Sequence, residues 1–319
     1  MAATGLHWAL EHLMVSHPMK ALDTENAVKK RYGFAAQITD RALCCPVDYA
    51  PQYLAAIPAE VIEKDYGCGN PSRFLEAGET VLDLGSGAGK ICFIAAQVVG
   101  AAGRVIGIDM TDEMLEVARR NAPLVAQNVG YANVEFRKGR IQDLTVDLAK
   151  VEAYLRENRV SDCETFVGFQ DWLDDLRTTS PLVANDSIDV VVSNCVLNLV
   201  QSRAKEKLFG EIHRVLKDGG RAVISDIVSD REVPAEMQKD PELWSGCISG
   251  ALTEDAFLEA FKKVGFYGIG VLVRDATPWR VVEGIEFRSI TVRAFKGKPV
   301  DVLGESDLAG ECCAGGTCS

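Results

Sequence analysis

The sequence predicts a doubly wound α/β protein on a mostly parallel sheet, and three observations point there. From residue 80 onward, short β-rich runs alternate with helix-length stretches. The first run breaks into a glycine-rich loop, Gly85-Ser86-Gly87-Ala88-Gly89, that opens a helix. The chain, at 319 residues, is long enough to bury one full core with additions.

Residues 24–64 read mainly helical, interrupted by Cys44-Cys45-Pro46, and are expected to lie over the sheet. Thr80-Val81-Leu82-Asp83-Leu84 is the first strand, followed by the glycine loop and a helix over 90–99. A second strand, 104–108, ends in Asp109. Thr111 then caps a helix whose first turn carries Asp112 and Glu113, where negative charge favours the helix dipole. Residues 134–138 and 188–193 give the third and fourth strands, and 221–226 the fifth, after a Gly219-Gly220 turn. This alternation implies parallel strands joined by right-handed crossovers. Residues 143–186 exceed a typical crossover and hold two helical stretches, near 146–158 and 169–177; they read as a surface insertion without assigned chemistry. Residues 266–274 and 285–295 lack a helix-length connection, which predicts an antiparallel hairpin at one edge of the sheet. The stretch after Lys298, ending Cys312-Cys313-Ala314-Gly315-Gly316-Thr317-Cys318-Ser319, has almost no apolar mass and is expected to be a mobile tail.

Composition excludes several classes. With 46 acidic and 34 basic residues the formal charge is −12, so the average surface repels phosphate backbones and anionic lipid, and neither nucleic acid nor a membrane is an expected partner. No apolar stretch reaches the roughly 20 residues of a spanning helix, and residues 1–20 lack a signal-peptide pattern, which makes the cytoplasm the expected compartment. Ten cysteines without a secretory signal are then reduced thiols, available as ligands or redox groups. His7, His12 and His17 recur every five residues, a spacing that does not gather them on one helical face.

The loop departs from the dinucleotide fingerprint Gly-x-Gly-x-x-Gly, because its third glycine arrives one position early at Gly89. Asp83, two residues before Gly85, suits a cofactor with an amino group and no pyrophosphate. Asp109, at the tip of the next strand, is placed to accept from both ribose hydroxyls. Together they favour S-adenosylmethionine over NAD, and the expected cofactor residues are Asp83, Gly85, Ser86, Gly87, Asp109, Met110, Ile141 and Asn194.

Three thiols stand in unusual settings: Tyr66-Gly67-Cys68-Gly69-Asn70, Ser193-Asn194-Cys195-Val196 and Trp244-Ser245-Gly246-Cys247-Ile248. Ligands of open α/β sheets sit beyond the carboxyl ends of strands where strand order reverses, here between strands one and four, and Cys195 directly follows strand four. Most free cysteines are small buried hydrophobes, but this position favours a functional reading. Glycine beside Cys68 and Cys247 suggests adaptable loops around both. Cys92, among Ile91, Phe93 and Ile94, reads as core, and Cys163, in the insertion, as incidental. Tyr66 reads either as an aromatic wall for a cationic methyl group or as an ordinary core tyrosine.

These segments carry a family resemblance. Tyr66-Gly67-Cys68-Gly69, Val81-Leu82-Asp83-Leu84-Gly85-Ser86-Gly87, Gly107-Ile108-Asp109-Met110, Ser193-Asn194-Cys195-Val196-Leu197-Asn198-Leu199 and Cys247-Ile248-Ser249-Gly250-Ala251-Leu252 resemble the arsenite S-adenosylmethionine methyltransferases over roughly residues 32–296. The fold so implied is a seven-stranded Rossmann-like methyltransferase sheet, order 3-2-1-4-5-7-6 with the last strand antiparallel, a helical amino-terminal segment and a substrate-binding insertion. Its parts would be residues 1–75 with redox and substrate cysteines, a cofactor-binding core over 76–229, an arsenic-binding segment and terminal hairpin over 230–297, and the tail over 298–319. The resemblance implies that Cys68, Cys195 and Cys247 bind trivalent arsenic and that Cys45 or Cys44 takes part in a redox step. The long insertion before strand four and the lack of an extended carboxy-terminal region depart from the larger members.

The chemistry this implies is consistent. Arsenite is largely uncharged at neutral pH and needs soft ligands, which thiolates are. Three sulfurs leave arsenic pyramidal with its lone pair on the open face. The lone pair attacks the sulfonium methyl without losing a proton, so no general base is required. Methylation raises arsenic to the pentavalent state. A disulfide between Cys45, or Cys44, and Cys68 would return it to the trivalent state, with thioredoxin or glutathione resetting the enzyme. The expected substrates are arsenite and methylarsenite, and the expected form is a monomer. Two other readings are carbon methylation in quinone biosynthesis on the same fold, which would not need three placed cysteines, and a non-catalytic thiol site for zinc or arsenic. Zinc sites usually show Cys-x-x-Cys pairs, and the sequence has none.

Overall fold

The computed structural model of the chain describes residues 21–40, 47–64 and 66–297. In chain order, its strands are β1 (Thr80–Leu84), β2 (Arg104–Asp109), β3 (Val134–Lys138), β4 (Ile188–Asn194), β5 (Leu216–Ser229), β6 (Leu252–Thr253), β7 (Tyr267–Arg274), β8 (Arg280–Val282) and β9 (Ile285–Phe295). The helices are α1 (Ala21–Ala35), α2 (Pro51–Leu54), α3 (Ala59–Ile62), α4 (Lys90–Val99), α5 (Asp112–Val129), α6 (Leu148–Glu157), α7 (Cys163–Thr179), α8 (Ser202–Val215), α9 (Pro241–Ser245) and α10 (Glu254–Lys263).

The seven principal strands run β3-β2-β1-β4-β5-β9-β7, which is the predicted order 3-2-1-4-5-7-6. β9 is antiparallel to both its neighbours, as the hairpin reading required. Two short strands add to the prediction: β6 pairs parallel with the end of β5, and β8 pairs antiparallel with β9. At two and three residues they are too short to show periodicity in sequence. β5 also starts earlier than predicted. It follows α8 directly, and the Gly219-Gly220 pair lies in an irregularity between the Ile188–Leu216 and Val190–Arg221 pairings, with Gly219 at φ 81, instead of in a turn before the strand.

The central strands are buried on both faces, as a parallel sheet covered on each side demands. One apolar layer joins α4 and α5 to the sheet through Phe93, Ile94, Met114 and Leu115. The other joins α8 and α10 through Phe209, Phe257 and Phe261, whose rings meet edge to face, Phe209 and Phe261 at 4.8 Å. Thr111 occupies the N-cap position of α5, but its side chain makes no capping bond to the helix. Its backbone N–H and its hydroxyl turn to Asp109 instead, so a capping residue is turned back to the end of β2.

The insertion forms α6 and α7, of which only Leu176 is buried. Tyr154 stacks on Trp172 at 4.1 Å between the two helices, and Lys138 ties α6 to the sheet through Glu152 and α5 through Asp112. α1 stays out of the sheet, as expected of the amino-terminal segment, and packs against α9 and α5. Arg31 pairs with Asp40 and donates to the Glu242 carbonyl and to Ser245, binding α1 to α9.

Candidate active site

A cavity opens where strand order reverses, beyond the carboxyl ends of β1, β2 and β4, and all eight expected cofactor residues line it. Gly85, Gly87 and Gly89 have φ of 73, 51 and 92, a left-handed run that L side chains adopt only with strain. A Cβ on Gly85 would also lie 2.4 Å from Val196, the residue after Cys195, so the loop and the thiol segment touch because that carbon is missing.

Two buried carboxylates face this loop. Burial lifts Asp83 to about 7, against the lowering effect of the Cys92 thiol, which donates to its Oδ2 at 3.2 Å. Cys92 is thus core, as read, and also the partner of a cofactor-facing carboxylate. Asp109 is likewise raised by burial, while its oxygens accept from Gly87 N at 2.9 Å and Thr111 N at 2.8 Å. Ser86 Oγ is buried with no hydrogen-bond partner among the described residues. A donor orphaned beside two buried carboxylates in a glycine cradle fits an amino-acid-bearing cofactor such as S-adenosylmethionine, whose carboxylate would take the hydroxyl and whose ammonium would take Asp83.

Beside that cavity the structure brings Cys68, Cys195 and Cys247 into one buried cluster. The Sγ atoms of Cys68 and Cys195 and a carboxylate oxygen of Asp226 lie within 4.8 Å of one another. Cys247 Sγ sits 3.1 Å from the Cys195 carbonyl oxygen and hydrogen bonds to the Cys195 thiol. All three are free thiols. Burial raises Cys68, and the neighbouring Cys247 and Cys68 thiols, then burial, hold Cys195 well above the ordinary range.

How these residues are held was only partly foreseen. Cys195 and Cys247 both have φ 62, a left-handed conformation that costs a non-glycine residue roughly 1–3 kcal/mol and persists only where surrounding packing imposes it. The glycines flanking Cys68 are spacers for close packing, not the adaptable joints the sequence suggested. A Cβ on Gly67 would fall 2.0 Å from the Asn194 amide, and one on Gly69 2.6 Å from the Ser225 side chain. In the space they leave, Asn194 Oδ1 accepts from Cys68 N at 2.9 Å and Gly69 N at 3.0 Å, while its Nδ2 donates to the Gly69 carbonyl at 2.7 Å. Asn194 thereby clamps the first thiol beside Cys195 while also lining the cofactor cavity.

Three participants were missed. Asp226, on β5, accepts from Leu197 N, Asn198 N, Asn198 Nδ2 and Ile227 N, and burial lifts it to about 6. Lys205, lowered by burial to about 8, backs this network by donating to Asn198 Oδ1 and the Gly250 carbonyl. Tyr32, on α1, hydrogen bonds to Cys247 and lines the cofactor cavity; burial, then the two thiols, raise its phenol well above the usual value. The only sequence signal for Asp226 was its place at the carboxyl side of a strand; Tyr32 and Lys205 sit in helices with no motif. Tyr66 donates to the Ala35 carbonyl at 2.9 Å and meets Tyr32 edge to face at 6.0 Å, on the rim of the same cavity. Cys163 is exposed at the start of α7. Cys44, Cys45, the tail cysteines and the three amino-terminal histidines lie outside the described residues.

Comparison with known proteins agrees with this geometry. A methyltransferase-domain family matches residues 75–168 and 166–265. The arsenite methyltransferase of Halobacterium salinarum is 40% identical over 211 residues, 66% of this chain and 43% of that protein. That of Aquipseudomonas alcaligenes is 33% identical over 283 residues, 85% of this chain and 71% of that protein. Thus the chain spans less than half of the archaeal relative and more than two thirds of the bacterial one. The crystal structure of an arsenic(III) S-adenosylmethionine methyltransferase from Chlamydomonas reinhardtii matches with a TM-score of 0.61 at 33% identity, covering 79% of this chain and 75% of that one. A Rossmann-like methyltransferase sheet, a cavity at its switch point and this similarity across most of a relative's length place the chain in the arsenite methyltransferase family.

Proposed function

We propose that this protein transfers methyl groups from S-adenosylmethionine to trivalent arsenic held by Cys68, Cys195 and Cys247. The observation that carries the reading is the meeting of three distant thiols in one buried cluster, with Cys195 on the wall of the cofactor cavity.

Burial keeps Cys68 protonated at neutral pH, and the neighbouring thiols, then burial, do the same for Cys195, which suits a neutral partner. Each thiol displaces one hydroxide from arsenous acid: a sulfur–arsenic bond forms, an arsenic–oxygen bond breaks, and the thiol proton leaves with the hydroxide as water. Three exchanges release three waters and bury no net charge, so burial does not oppose them. Asp83 and Ser86 would hold the amino-acid end of the cofactor, and Asp109 its ribose. S-adenosylmethionine bound there supplies an electrophilic methyl group, which the arsenic lone pair takes. The protein's contribution is placement, for which effective-concentration effects reach about 7–11 kcal/mol. Reduction back to trivalent arsenic falls to Cys45 or Cys44 with Cys68, reset by thioredoxin or glutathione, with methylarsenite as the next substrate. Among the described residues no helix is long and apolar enough to cross a membrane; the compartment proposed is the cytoplasm and the form a monomer.

The test is to incubate pure protein with S-adenosylmethionine, a reducing thiol and arsenite and to measure methylated arsenicals, for the parent and for serine variants at positions 68, 195 and 247. Turnover surviving all three substitutions rejects the ligand set. Arsenite binding without turnover favours sequestration.

A further inference from the structure

Cys195 lines the cofactor cavity, whereas Cys68 lines a different one. This second cavity, of about 300 Å³, shares no lining residue with the first. It sits over the β5–β9 pair, where Ile227 and Ser289 are opposite each other, and is bordered by the segment leading to β8 with Asp275, Thr277 and Trp279. Ser289 Oγ donates to the Cys68 carbonyl at 2.7 Å, fixing that residue at the boundary.

The lining specifies a kind of ligand. It contains no lysine, arginine or histidine, so it offers an anion nothing; its one carboxyl, Asp275, is an exposed residue whose partial desolvation raises it against the opposing field of Arg288. The Thr277 and Ser289 hydroxyls and the Asp275 carboxyl can hydrogen bond to hydroxyl groups, and Ile227 and Trp279 form an apolar wall that tolerates a methyl group. The volume is far above the roughly 10–15 Å³ that one water needs in such a cavity, ample for a small hydroxyarsine.

We propose that this cavity is a rear port through which uncharged trivalent hydroxyarsines, bare or methylated, reach Cys68 while the cofactor pocket is filled, making Cys68 the first sulfur to capture arsenic. The ligand's identity rests on the function proposed above; the port itself does not. At capture, the Cys68 thiol forms a sulfur–arsenic bond, one arsenic–oxygen bond breaks, and the thiol proton departs with that hydroxide as water, with no change of oxidation state. The partly loaded arsenic then faces Cys195 and Cys247 from behind, so substrate need not pass the cofactor.

The test is site-resolved alkylation of the full-length protein by iodoacetamide, read by mass spectrometry, with and without saturating S-adenosylhomocysteine. Two variants narrow the port from exposed positions, Thr277→Trp and Asp275→Trp, each checked for folding by thermal melting. Closing a route lowers an encounter rate by one to three decades, so the cofactor product is expected to slow Cys195 at least about tenfold while Cys68 stays within about twofold. The tryptophan variants reverse the pattern, slowing Cys68 at least about tenfold and leaving affinity for S-adenosylhomocysteine unchanged. In turnover, they raise KM for arsenite and leave kcat and KM for S-adenosylmethionine as in the parent. Equal protection of Cys68 and Cys195 by the product, or unchanged Cys68 alkylation in both folded variants, overturns the port. Absence of methylation with the alkylation pattern intact counts against the proposed function and supports a port serving another ligand.

Discussion

The cofactor cavity and the thiol cluster adjoin each other, with Asn194 and Cys195 on their shared boundary, yet they are built in opposite ways. The cavity's floor comes from one region of chain: β1, a loop with three left-handed glycines, and, after α4, the end of β2 at Asp109 with Thr111 at the start of α5. Glycine takes those conformations without strain, so the local sequence alone suffices to shape it. The thiol cluster draws on a loop before β1, the residue after β4 and the turn after α9, and two of its cysteines sit in left-handed conformations that no local preference favours. The cavity is therefore secured by its own residues, and the cluster by packing from α1, β5 and β9. The difference teaches that capture of the methyl donor and capture of the acceptor should fail separately.

Cys195→Ser sharpens this most. Loss of the sulfur nearest the cofactor misplaces the acceptor, and kcat/KM for arsenite should fall by about a hundredfold or more, with the dissociation constant of S-adenosylmethionine, measured calorimetrically, unchanged. A matching loss of cofactor affinity would break the separation.

Asp83→Asn is the converse. A charge-assisted bond worth about 1.5–3 kcal/mol disappears, so cofactor affinity should drop roughly ten- to a hundredfold while arsenite still quenches tryptophan fluorescence near Trp244 at the parent's concentration.

The same carboxylate sets a pH dependence. With Asp83 raised to about 7, the free protein holds a proton there that cofactor binding must expel, so affinity should strengthen nearly tenfold per pH unit up to about 7 and level off above it. The stability contribution has the opposite sign. The folded state binds the extra proton between the ordinary carboxyl value of about 3.8 and about 7, so Asp83's contribution is full below that window and lost as pH rises through it. Thermal melts with saturating cofactor should lose less over this range than melts without. A flat binding profile from pH 6 to 8 would contradict the assignment.

Tyr32→Phe probes the support that α1 gives the cluster. Removing one hydrogen bond of about 0.5–1.5 kcal/mol to Cys247 should weaken arsenite binding about two- to tenfold and leave cofactor affinity within error. The smallest effect concerns stability. At Cys247, with φ 62, glycine should be more stable than alanine by about 1 kcal/mol, the reverse of the usual order, as denaturant unfolding would show. Alanine as stable as glycine would mean the conformation carries no strain.

Much of this was legible in the sequence because the signals were local. Strand, glycine loop and helix in succession fixed the cofactor edge, and the position of Cys195 after strand four placed it at the switch point. What sequence reading missed lacked a local mark. Tyr32 acts on Cys247, far along the chain, Lys205 joins nearby Asn198 to distant Gly250, and β6 and β8 are too short for a period. The glycines around Cys68 were misread because the demand for a missing Cβ comes from Asn194 and Ser225, distant partners invisible in the motif.

By itself, then, the sequence determined the succession and direction of the principal strands, the cofactor loop and the identity of three special thiols, since backbone preference and hydrophobic period act over a few residues; the spatial order of the strands came from the family resemblance. Only the tertiary structure decided that the thiols meet, in which strained conformations, beside which buried carboxylate and on which of two cavities each lies. Those outcomes depend on close packing between segments more than a hundred residues apart, such as Cys68 and Asn194, where a single added carbon would force them apart.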